Sequence, residues 1–392
     1  MIYKFITIRR FIKSANEGWV RGILLDMITR RKSREVKIGS TAIGGDNKIT
    51  VQSMLSVNSA NFDEVKAQVA ALKSAGCDIV RLAVADFESV KTVAKLKELA
   101  AVDPQYDVPL VADIHFNHKL AIESVYAGID KIRINPGNIG DESRVKAVAD
   151  ACRAKRIPIR IGVNGGSLEK RILEKHSEIT PQVLYESAVY NIRLLEKYDF
   201  TDIVIAIKSS NVSQMIEANL LIADMCDYPL HLGVTEAGTA HMGLIKNAVG
   251  IGALLQRGIG DTIRVSLTAS PVLEVYEGIS ILKSLGLYDR AIDIISCPTC
   301  GRCRTDVIAI ANEVEQRLSV VEKNLRDNQQ IKVAVMGCAV NGPGEAREAD
   351  IGIAGGIGEF LLFKHGEIVK KIRAAEAVDT LICEVERIIN NN

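Results

Sequence analysis

The chain has 392 residues, of which 47% are hydrophobic and 25% are charged, and its formal net charge is +1. A chain of this length exceeds what one hydrophobic core usually supports, so we expect a large domain and a smaller one. The near-zero net charge excludes an overall attraction to nucleic acid, and no apolar run approaches the roughly 18 residues of a membrane span.

The first 34 residues form a basic segment in which nine Lys or Arg face only Glu17 and Asp26. Such a composition fits a targeting presequence or an anchor for an anionic surface. The simpler expectation is an appended N-terminus that precedes a start at Met27. Eight cysteines, four scattered and four clustered, do not resemble a secreted disulfide framework, and no secretory leader is apparent, so we expect a cytoplasmic protein.

From about residue 48 onward, short apolar runs rich in β-branched residues alternate with longer segments of helical periodicity, such as 62–76, 87–101 and 141–154. The apolar runs predict eight strands, at 49–53, 79–84, 109–114, 131–134, 158–163, 202–207, 229–234 and 262–267. Eight repeated βα units predict a TIM (β/α)8 barrel over residues 35–286. An open doubly wound sheet is the alternative, but no GxGxxG motif follows the first strand.

The pattern changes after a predicted helix at 271–285. A cysteine cluster at 297–303 is followed by a predicted helix, a charged link, two strands and a final helix, at 306–318, 322–330, 331–336, 350–354 and 374–389. We predict a second, smaller α/β domain over residues 287–392.

Basic side chains stand at or near the C-terminal ends of five predicted strands, the face where barrel enzymes build their sites. They are Arg81, Arg133, Arg160, Lys208 and Arg264. Guanidinium groups pair with phosphate through two parallel hydrogen bonds, and several converging cations repel one another unless a multiply charged ligand neutralises them. We therefore predict a diphosphate site, although each residue taken singly also fits an arginine paired with a buried carboxylate.

The same face carries groups suited to acid–base chemistry and hydrogen bonding. They are Asp113, His115, Asn135, Asn164, Glu236 and Ser266. His115 and His118 suggest a metal pair, but His231 is the only other histidine on a predicted strand, so we do not expect a zinc site here.

Cys297, Cys300 and Cys303 form a CxxCxxC run, and Cys338 follows in VMGCAVNGPGE. A CxxC turn directs two thiolates at one centre, and more distant ligands complete a zinc site or an iron–sulfur cluster. Zinc ribbons usually carry a second CxxC, which is absent, so we predict an iron–sulfur cluster. Spacing alone leaves Cys303 and Glu345 open as the fourth ligand. The other cysteines, Cys77, Cys152, Cys226 and Cys383, are expected to be small buried hydrophobes.

Together these motifs resemble the 4-hydroxy-3-methylbut-2-enyl diphosphate synthase family of the methylerythritol phosphate route to isoprenoids. The resemblance runs from about Arg30 to the C-terminus, and residues 1–29 lie outside it. The segments that carry it are VQSM (51–54), IVRLAV, VADIHFNHKLA, IRINPGNIG, LGVTEAG, SCPTCGRC and GCAVNGPGEA.

The resemblance implies a barrel that binds 2-C-methyl-D-erythritol 2,4-cyclodiphosphate and a C-terminal domain, similar to a sulfite/nitrite reductase module, that carries a [4Fe-4S] cluster. The implied cluster ligands are Cys297, Cys300, Cys338 and Glu345, so it selects Glu345 over Cys303. The implied substrate-binding residues are Arg81, Arg133, Asn135, Arg160, Asn164, Lys208, Arg264 and Ser266. The implied catalytic residues are Glu236, Glu345 and His115.

The implied reaction is a reductive ring opening and dehydration to 4-hydroxy-3-methylbut-2-enyl diphosphate, with two electrons supplied through the cluster by a ferredoxin or flavodoxin. The family also implies a homodimer in which the barrel of one subunit meets the cluster domain of the other. Two other hypotheses stay open at this point. One is an iron–sulfur electron-transfer or sensor protein with a non-catalytic barrel, and the other is a barrel transferase, similar to pterin-binding synthases, with a structural zinc.

Overall fold

The computed structural model describes residues 28–326, 328–338, 344 and 346–391 of the chain. The chain divides into two compact units, Met1–Ile281 and Leu282–Asn392. The basic segment predicted at the N-terminus is therefore described only from residue 28, where Arg30 and Arg31 form ion pairs with the buried Asp261. Residues 1–27 and Glu345 lie outside the described residues.

The described part of the first unit contains, ahead of the barrel strands, an antiparallel hairpin that the sequence did not predict. Strand β1 (Val36–Ile38) pairs with β2 (Thr41–Ile43), and three of their side chains are buried. These side chains pack against Ile79, Val111 and Val204, which lie in the N-terminal halves of three barrel strands. The hairpin therefore covers the N-terminal end of the barrel.

Eight parallel strands follow among the described residues. They are β3 (Thr50–Met54), β4 (Ile79–Ala83), β5 (Leu110–Ile114), β6 (Lys131–Ile134), β7 (Ile159–Asn164), β8 (Ile203–Lys208), β9 (His231–Leu232) and β10 (Thr262–Ile263). Their order in the sheet is β8-β7-β6-β5-β4-β3-β10-β9, and a parallel bridge between Ile205 and Leu230 joins the two ends. The predicted TIM barrel is confirmed.

Helices alternate with these strands. They are α1 (Phe62–Ser74), α2 (Phe87–Ala100), α3 (His118–Tyr126), α4 (Pro136–Ile139), α5 (Glu142–Lys155), α6 (Lys170–Leu173), α7 (Pro181–Glu196), α8 (Val212–Met225), α9 (Ala240–Leu255) and α10 (Pro271–Ser284). Side chains of Asn61, Asp86 and Asp141 accept hydrogen bonds from the first turns of α1, α2 and α5, which is why these helices begin there. No helix among the described residues has the length and apolar character needed to cross a bilayer.

Three strands begin one or two residues later in the structure than predicted, because each predicted run starts at a proline. Pro109, Pro158 and Pro229 have no N–H to donate to a neighbouring strand. Their carbonyl groups still accept hydrogen bonds from Val80, Ile132 and Ile205 on the adjacent strands. The prolines thus accept a hydrogen bond from the adjacent strand at each strand start, although they donate none.

The second unit contains a five-stranded mixed sheet. Its strands are β11 (Ala291–Ser296), β12 (Gln330–Met336), β13 (Ile351–Gly355), β14 (Glu359–Lys364) and β15 (Glu367–Arg373), and they lie side by side in chain order. The pairs β11–β12 and β12–β13 are parallel, whereas β14 and β15 join by antiparallel pairing. The sequence analysis predicted only β12 and β13.

Both faces of this sheet are covered by apolar side chains. Along β12, Val333 and Val335 face the larger core, which includes residues of α11 (Val307–Val321) and α12 (Ala377–Asn391). Ala334 and Met336 face a smaller cluster on the opposite side. This alternation is the two-residue period of a strand buried on both faces.

The scattered cysteines differ in burial. Cys77 and Cys152 are buried, as expected of small apolar side chains, and Cys226 is half-buried. Cys383 is exposed, so the expectation of burial is wrong for this residue. Leu381 and Val385 on α12 face the core. Cys383 lies two residues from each of them and therefore on the opposite side of the helix.

Replacing Ile38 with alanine tests whether the hairpin stabilises the barrel. Ile38 is fully buried against the barrel strands, so Ile38→Ala should lower the free energy of unfolding of the barrel by about 3 kcal/mol in urea denaturation followed by circular dichroism. Val102→Ala, at a site that is 80% exposed, should change it by less than about 0.5 kcal/mol. Equal stability of the two variants would contradict this role of the hairpin.

Candidate functional site

The C-terminal ends of the barrel strands bring together the five cations that the sequence analysis singled out. Arg81, Arg133 and Arg160 lie on β4, β6 and β7, Lys208 ends β8, and Arg264 follows β10 directly. The carboxyl ends of parallel strands meet at one rim. Arg160 is the second of the six residues of β7, well before the end of its strand, but Arg81, Arg133 and Arg264 are among its charged neighbours, so the five side chains converge inside the barrel toward this rim. The set of residues is called the cationic rim below.

Asp113 on β5 is the shared anion of one half of the cationic rim. Its carboxylate accepts hydrogen bonds from Arg81 at 2.5 Å and from Arg133 at 2.9 Å, and His115 Nε2 lies 3.3 Å away. Burial alone would raise the pKa of Asp113, but Arg81, His115 and Arg133 together outweigh it and hold the pKa well below its usual range. Asp113 therefore stays charged and fixes two guanidinium groups.

Glu274 on α10 plays the corresponding part for Arg264. This buried carboxylate lies 3.3 Å from the Arg264 guanidinium and also accepts from Ser53 Oγ and the backbone N–H of Leu267. The sequence analysis missed Glu274 because it lies on a helix, away from the strand ends that it serves.

Arg160 and Lys208 are the cations that the two carboxylates do not neutralise. Arg160 is 1% exposed, forms no ion pair within the described residues, and has no protein partner there for its Nε and Nη1 atoms. Burial and the charges of Arg264, Arg160 and Arg81 lower the pKa of Lys208 well below its ordinary value. The cationic rim therefore has a surplus of positive charge that a multiply charged anion would compensate.

Gly162 on β7 permits the close packing of the cationic rim. A Cβ atom at this position would lie 2.4 Å from Nε of Arg133, which is closer than any side chain allows. The Arg133 guanidinium thus lies directly over the backbone of the strand that carries Arg160.

Asn135 and Asn164 are held around Ser167 in the loop after β7. The Asn135 side chain donates to the Ser167 carbonyl, and Asn164 Oδ1 accepts from Ser167 Oγ at 2.7 Å. Ser266 is half-buried after β10, and its carbonyl accepts from Asn247 of α9 at 3.2 Å. Sequence reasoning did not find Ser167 or Asn247, whose contribution is to position these loops.

Glu236 and His115 stand at the exposed edge of the same rim. Glu236 follows β9, is exposed, and has a φ of +50°, a left-handed conformation that non-glycine residues rarely adopt. Such residues are found where the surrounding structure imposes them, and they concentrate at functional sites. His115 follows β5 with its side chain 55% exposed and its ring directed to Asp113. Both side chains are accessible to a ligand on the rim.

Two neighbouring strands of the second unit deliver the cysteines. Cys297 follows β11 and Cys338 follows β12, and the last residue of β11, Ser296, pairs with Val335. Because the strands are parallel, Cys297 and Cys338 emerge at the same edge of the sheet. Cys338 is buried, Cys297 and Cys303 are half-buried, and Cys300 is exposed.

Gly337 forms the floor between two of these thiols. Its N–H donates to Cys297 Sγ at 3.1 Å, and a Cβ atom on it would lie 2.6 Å from Cys303 Sγ and 3.5 Å from Cys297 Sγ. Backbone N–H donation to sulfur and a set of thiol ligands suit a soft metal centre. Within the described part of the chain, no three His, Cys, Asp or Glu side chains are grouped closely enough to hold a metal ion, and Glu345 lies outside it.

Family models match both units of the chain. The GcpE TIM-barrel domain matches residues 33–279, and the GcpE protein C-terminal domain matches residues 293–387. The chain is 52% identical to a 4-hydroxy-3-methylbut-2-en-1-yl diphosphate synthase (flavodoxin) of Clostridium perfringens, over 92% of this chain and 100% of that protein. It is 50% identical to the synthase of the same name from Geobacillus thermodenitrificans, over 93% of this chain and 94% of that protein.

Replacing Asp113 with asparagine tests its role as the shared anion. Asp113→Asn leaves Arg81 and Arg133 without their counter-charge, so the free energy of unfolding of the barrel should fall by about 3 kcal/mol at pH 7. The folded-state pKa of Asp113 is depressed, so its stabilising contribution is complete above the unfolded value of 3.8 and is lost as the pH falls below it.

Urea denaturation of both proteins from pH 7 to pH 3 measures this dependence. The difference in the free energy of unfolding between wild type and Asp113→Asn should stay constant down to about pH 4 and shrink below that pH. Asp63→Asn, at the first turn of α1, is the control for removal of an exposed carboxylate and should show a small difference at every pH. A difference for Asp113→Asn that already shrinks between pH 7 and pH 5 would contradict the assignment.

Proposed function

The chain belongs to the 4-hydroxy-3-methylbut-2-enyl diphosphate synthase family, and we propose that its cationic rim binds the cyclic diphosphate substrate of that enzyme. The protein is an oxidoreductase of the methylerythritol phosphate pathway. It converts 2-C-methyl-D-erythritol 2,4-cyclodiphosphate to 4-hydroxy-3-methylbut-2-enyl diphosphate and water, by a two-electron reduction that opens the ring. Family membership disfavours the hypothesis of an electron-transfer or sensor protein with a non-catalytic barrel.

The observation that carries the proposed binding site is the charge imbalance at the rim. Asp113 and Glu274 are committed to their own arginine partners, while Arg160 is buried without an anionic partner in the described residues. A diphosphate supplies several oxygen acceptors and at least two negative charges, which match converging guanidinium groups. The barrel domain, residues 35–286 in our proposal, is therefore the substrate domain.

The binding residues would hold the diphosphate and position the carbon skeleton. In our proposal these residues are Arg81, Arg133, Asn135, Arg160, Asn164, Lys208, Arg264 and Ser266. Fixing both phosphoryl groups converts binding energy into orientation of the ring carbon whose C–O bond breaks. Asp113 and Glu274 contribute indirectly, because they hold Arg81, Arg133 and Arg264 in place before the substrate arrives.

Glu236 and His115 are the proposed acid–base groups. Glu236 is exposed at the rim, so its carboxyl group is accessible to a bound ligand as a proton donor or electrostatic partner. The Asp113 carboxylate orients the imidazole of His115. Release of water from the substrate requires a proton at the departing oxygen, and in our proposal Glu236 or His115 supplies it.

The second domain, residues 287–392 in our proposal, would hold the electron-transfer group. We propose Cys297, Cys300, Cys338 and Glu345 as ligands of a [4Fe-4S] cluster, since thiols after β11 and β12 share one sheet edge and Gly337 donates an N–H to sulfur. When bound, such a cluster supplies single electrons and one exchangeable ligand position. A carboxylate such as Glu345 is a harder and more exchangeable ligand than the neighbouring Cys303 thiol.

The proposed partners follow from the same family. The curated relatives carry flavodoxin in their names, so we propose a flavodoxin, or a ferredoxin of similar role, as the electron donor. We further propose a cytoplasmic homodimer in which each barrel works with the cluster domain of its partner subunit.

Turnover by the anaerobic protein tests the ligand assignment. The purified enzyme with a reduced donor should convert the cyclic diphosphate, and Glu345→Ala should keep its iron and sulfide content yet lose most turnover, because the exchangeable ligand position is altered. Product formation and the absorbance of the reduced centre are measured together.

Cys303→Ala is the matched variant, since Cys303 lies beside Cys297 across Gly337. It should retain both the cluster spectrum and turnover. Full activity in Glu345→Ala together with loss of the cluster in Cys303→Ala would reverse the assignment.

Mixed dimers test the proposed assembly of the site. An Arg160→Leu subunit has a defective barrel and a Cys338→Ser subunit has a defective cluster site, so each homodimer should be inactive. If the site joins two subunits, random re-association in equal amounts should restore about a quarter of wild-type activity, because half of the dimers then contain one intact site of two. Mixtures that stay inactive although exchange is shown by mass spectrometry would contradict a shared site.

A further inference from the structure

A set of buried polar groups lies one layer below the cationic rim. Lys131 is the first residue of β6 and precedes Arg133 by two positions, so both side chains point to the same face of the strand. Lys131 is fully buried, and its Nζ has no protein partner among the described residues. The same holds for Nε2 of His231 on β9 and for both amide atoms of Gln52 on β3. We call these three residues the inner polar layer.

The charges that act on Lys131 are positive. Burial is the largest cause that lowers the pKa of Lys131 well below its ordinary value of 10.5, and its charged neighbours Arg160 and Arg81 lower it further. Burial is the largest cause that lowers the pKa of His231 well below its ordinary value of 6.5, and the charge of Arg160 lowers it further. Among the described residues Asp113 pairs with Arg81 and Arg133, and Glu274 pairs with Arg264. No carboxylate there is left to stabilise an ammonium group at Lys131.

Binding of an anion at the cationic rim counteracts the effect of these cations on the buried amine. A diphosphate near Arg160 and Arg81 cancels the positive potential that disfavours an ammonium ion on the layer below. The amine can then take a proton from solvent, which forms one N–H bond and needs no other reactant.

We propose that Lys131 is the proton acceptor of the binding step, an uncharged amine in the free protein that takes up one proton when the anionic substrate occupies the rim above it. The proposal rests on the proposed function, since it assigns the diphosphate to the rim. Lys131 acts indirectly in this scheme, because its protonation adds one positive charge to the barrel interior when the anionic ligand binds.

Two other buried bases are less suited to this role. Lys208 ends its strand, is half-buried, and has the carboxylate of Glu274 among its charged neighbours. His231 starts from an ordinary pKa of 6.5 and experiences largely the same cations, so it regains a proton at a lower pH than a lysine does. Of these three bases, Lys131 combines a high ordinary pKa with charged neighbours that are all cations.

Isothermal titration calorimetry of the anaerobic holoprotein, without an electron donor, tests the proposal. The cyclic diphosphate and inorganic pyrophosphate are titrated at pH 8 in two buffers of different ionisation enthalpy, which gives the number of protons taken up. Wild type should take up about one more proton per site than Lys131→Met. As the pH rises, the affinity of wild type for either ligand should fall by up to about tenfold more per pH unit than the affinity of Lys131→Met. Lys146→Met, an exposed lysine on α5, is the control and should match wild type.

Each result is decisive. Proton uptake that is equal in wild type and Lys131→Met would overturn the role of Lys131 while leaving the diphosphate site intact. Failure of both ligands to bind wild type would overturn the diphosphate site itself, and this inference with it.

The free protein provides a second test that needs no ligand. Since the folded-state pKa of Lys131 lies below its unfolded value of 10.5, the unfolded chain binds more protons, and burial of the amine destabilises the fold below that pH. Lys131→Met should therefore resist urea better than wild type at pH 7, with an advantage that shrinks as the pH approaches 10. A variant that is less stable than wild type at pH 7 would overturn the proposal.

Discussion

One carboxylate, Asp113, holds the functional end of the barrel together. It is almost completely buried, yet it stays charged because Arg81 and Arg133 both bind it and His115 lies against it. Without this anion, the guanidinium groups on β4 and β6, the two strands that flank β5, would repel each other and would have to reach solvent. The ion pairs therefore explain how a barrel can keep several cations at its rim before any ligand is present.

The two units carry different kinds of structure at their proposed sites. In the barrel, long charged side chains converge from separate strands, which suits a ligand with charge spread over two phosphoryl groups. In the second unit, the backbone contributes directly, because Gly337 has no side chain and its N–H faces a sulfur atom. In our proposal, binding and electron supply thus depend on different residues, so each can be altered by substitution without direct change to the other.

Much of this architecture could be predicted from the sequence, because strand runs and strand-end cations are local patterns. The hairpin at Val36–Ile38 was missed since three residues are too few to show a period, and β15 was missed because only Ile372 of its seven residues is buried. Glu274 was missed because its partner, Arg264, lies on another element. Lys131 had a visible signal, its spacing of two from Arg133 on one strand, but only burial shows that it lacks a partner.

The hairpin that packs under Ile79, Val111 and Val204 closes the N-terminal end of the barrel. The inner polar layer then lies between this closed end and the cationic rim. In our proposal, a diphosphate bound at the rim covers that layer, so the proton that Lys131 takes up on binding would stay there for as long as the ligand stays.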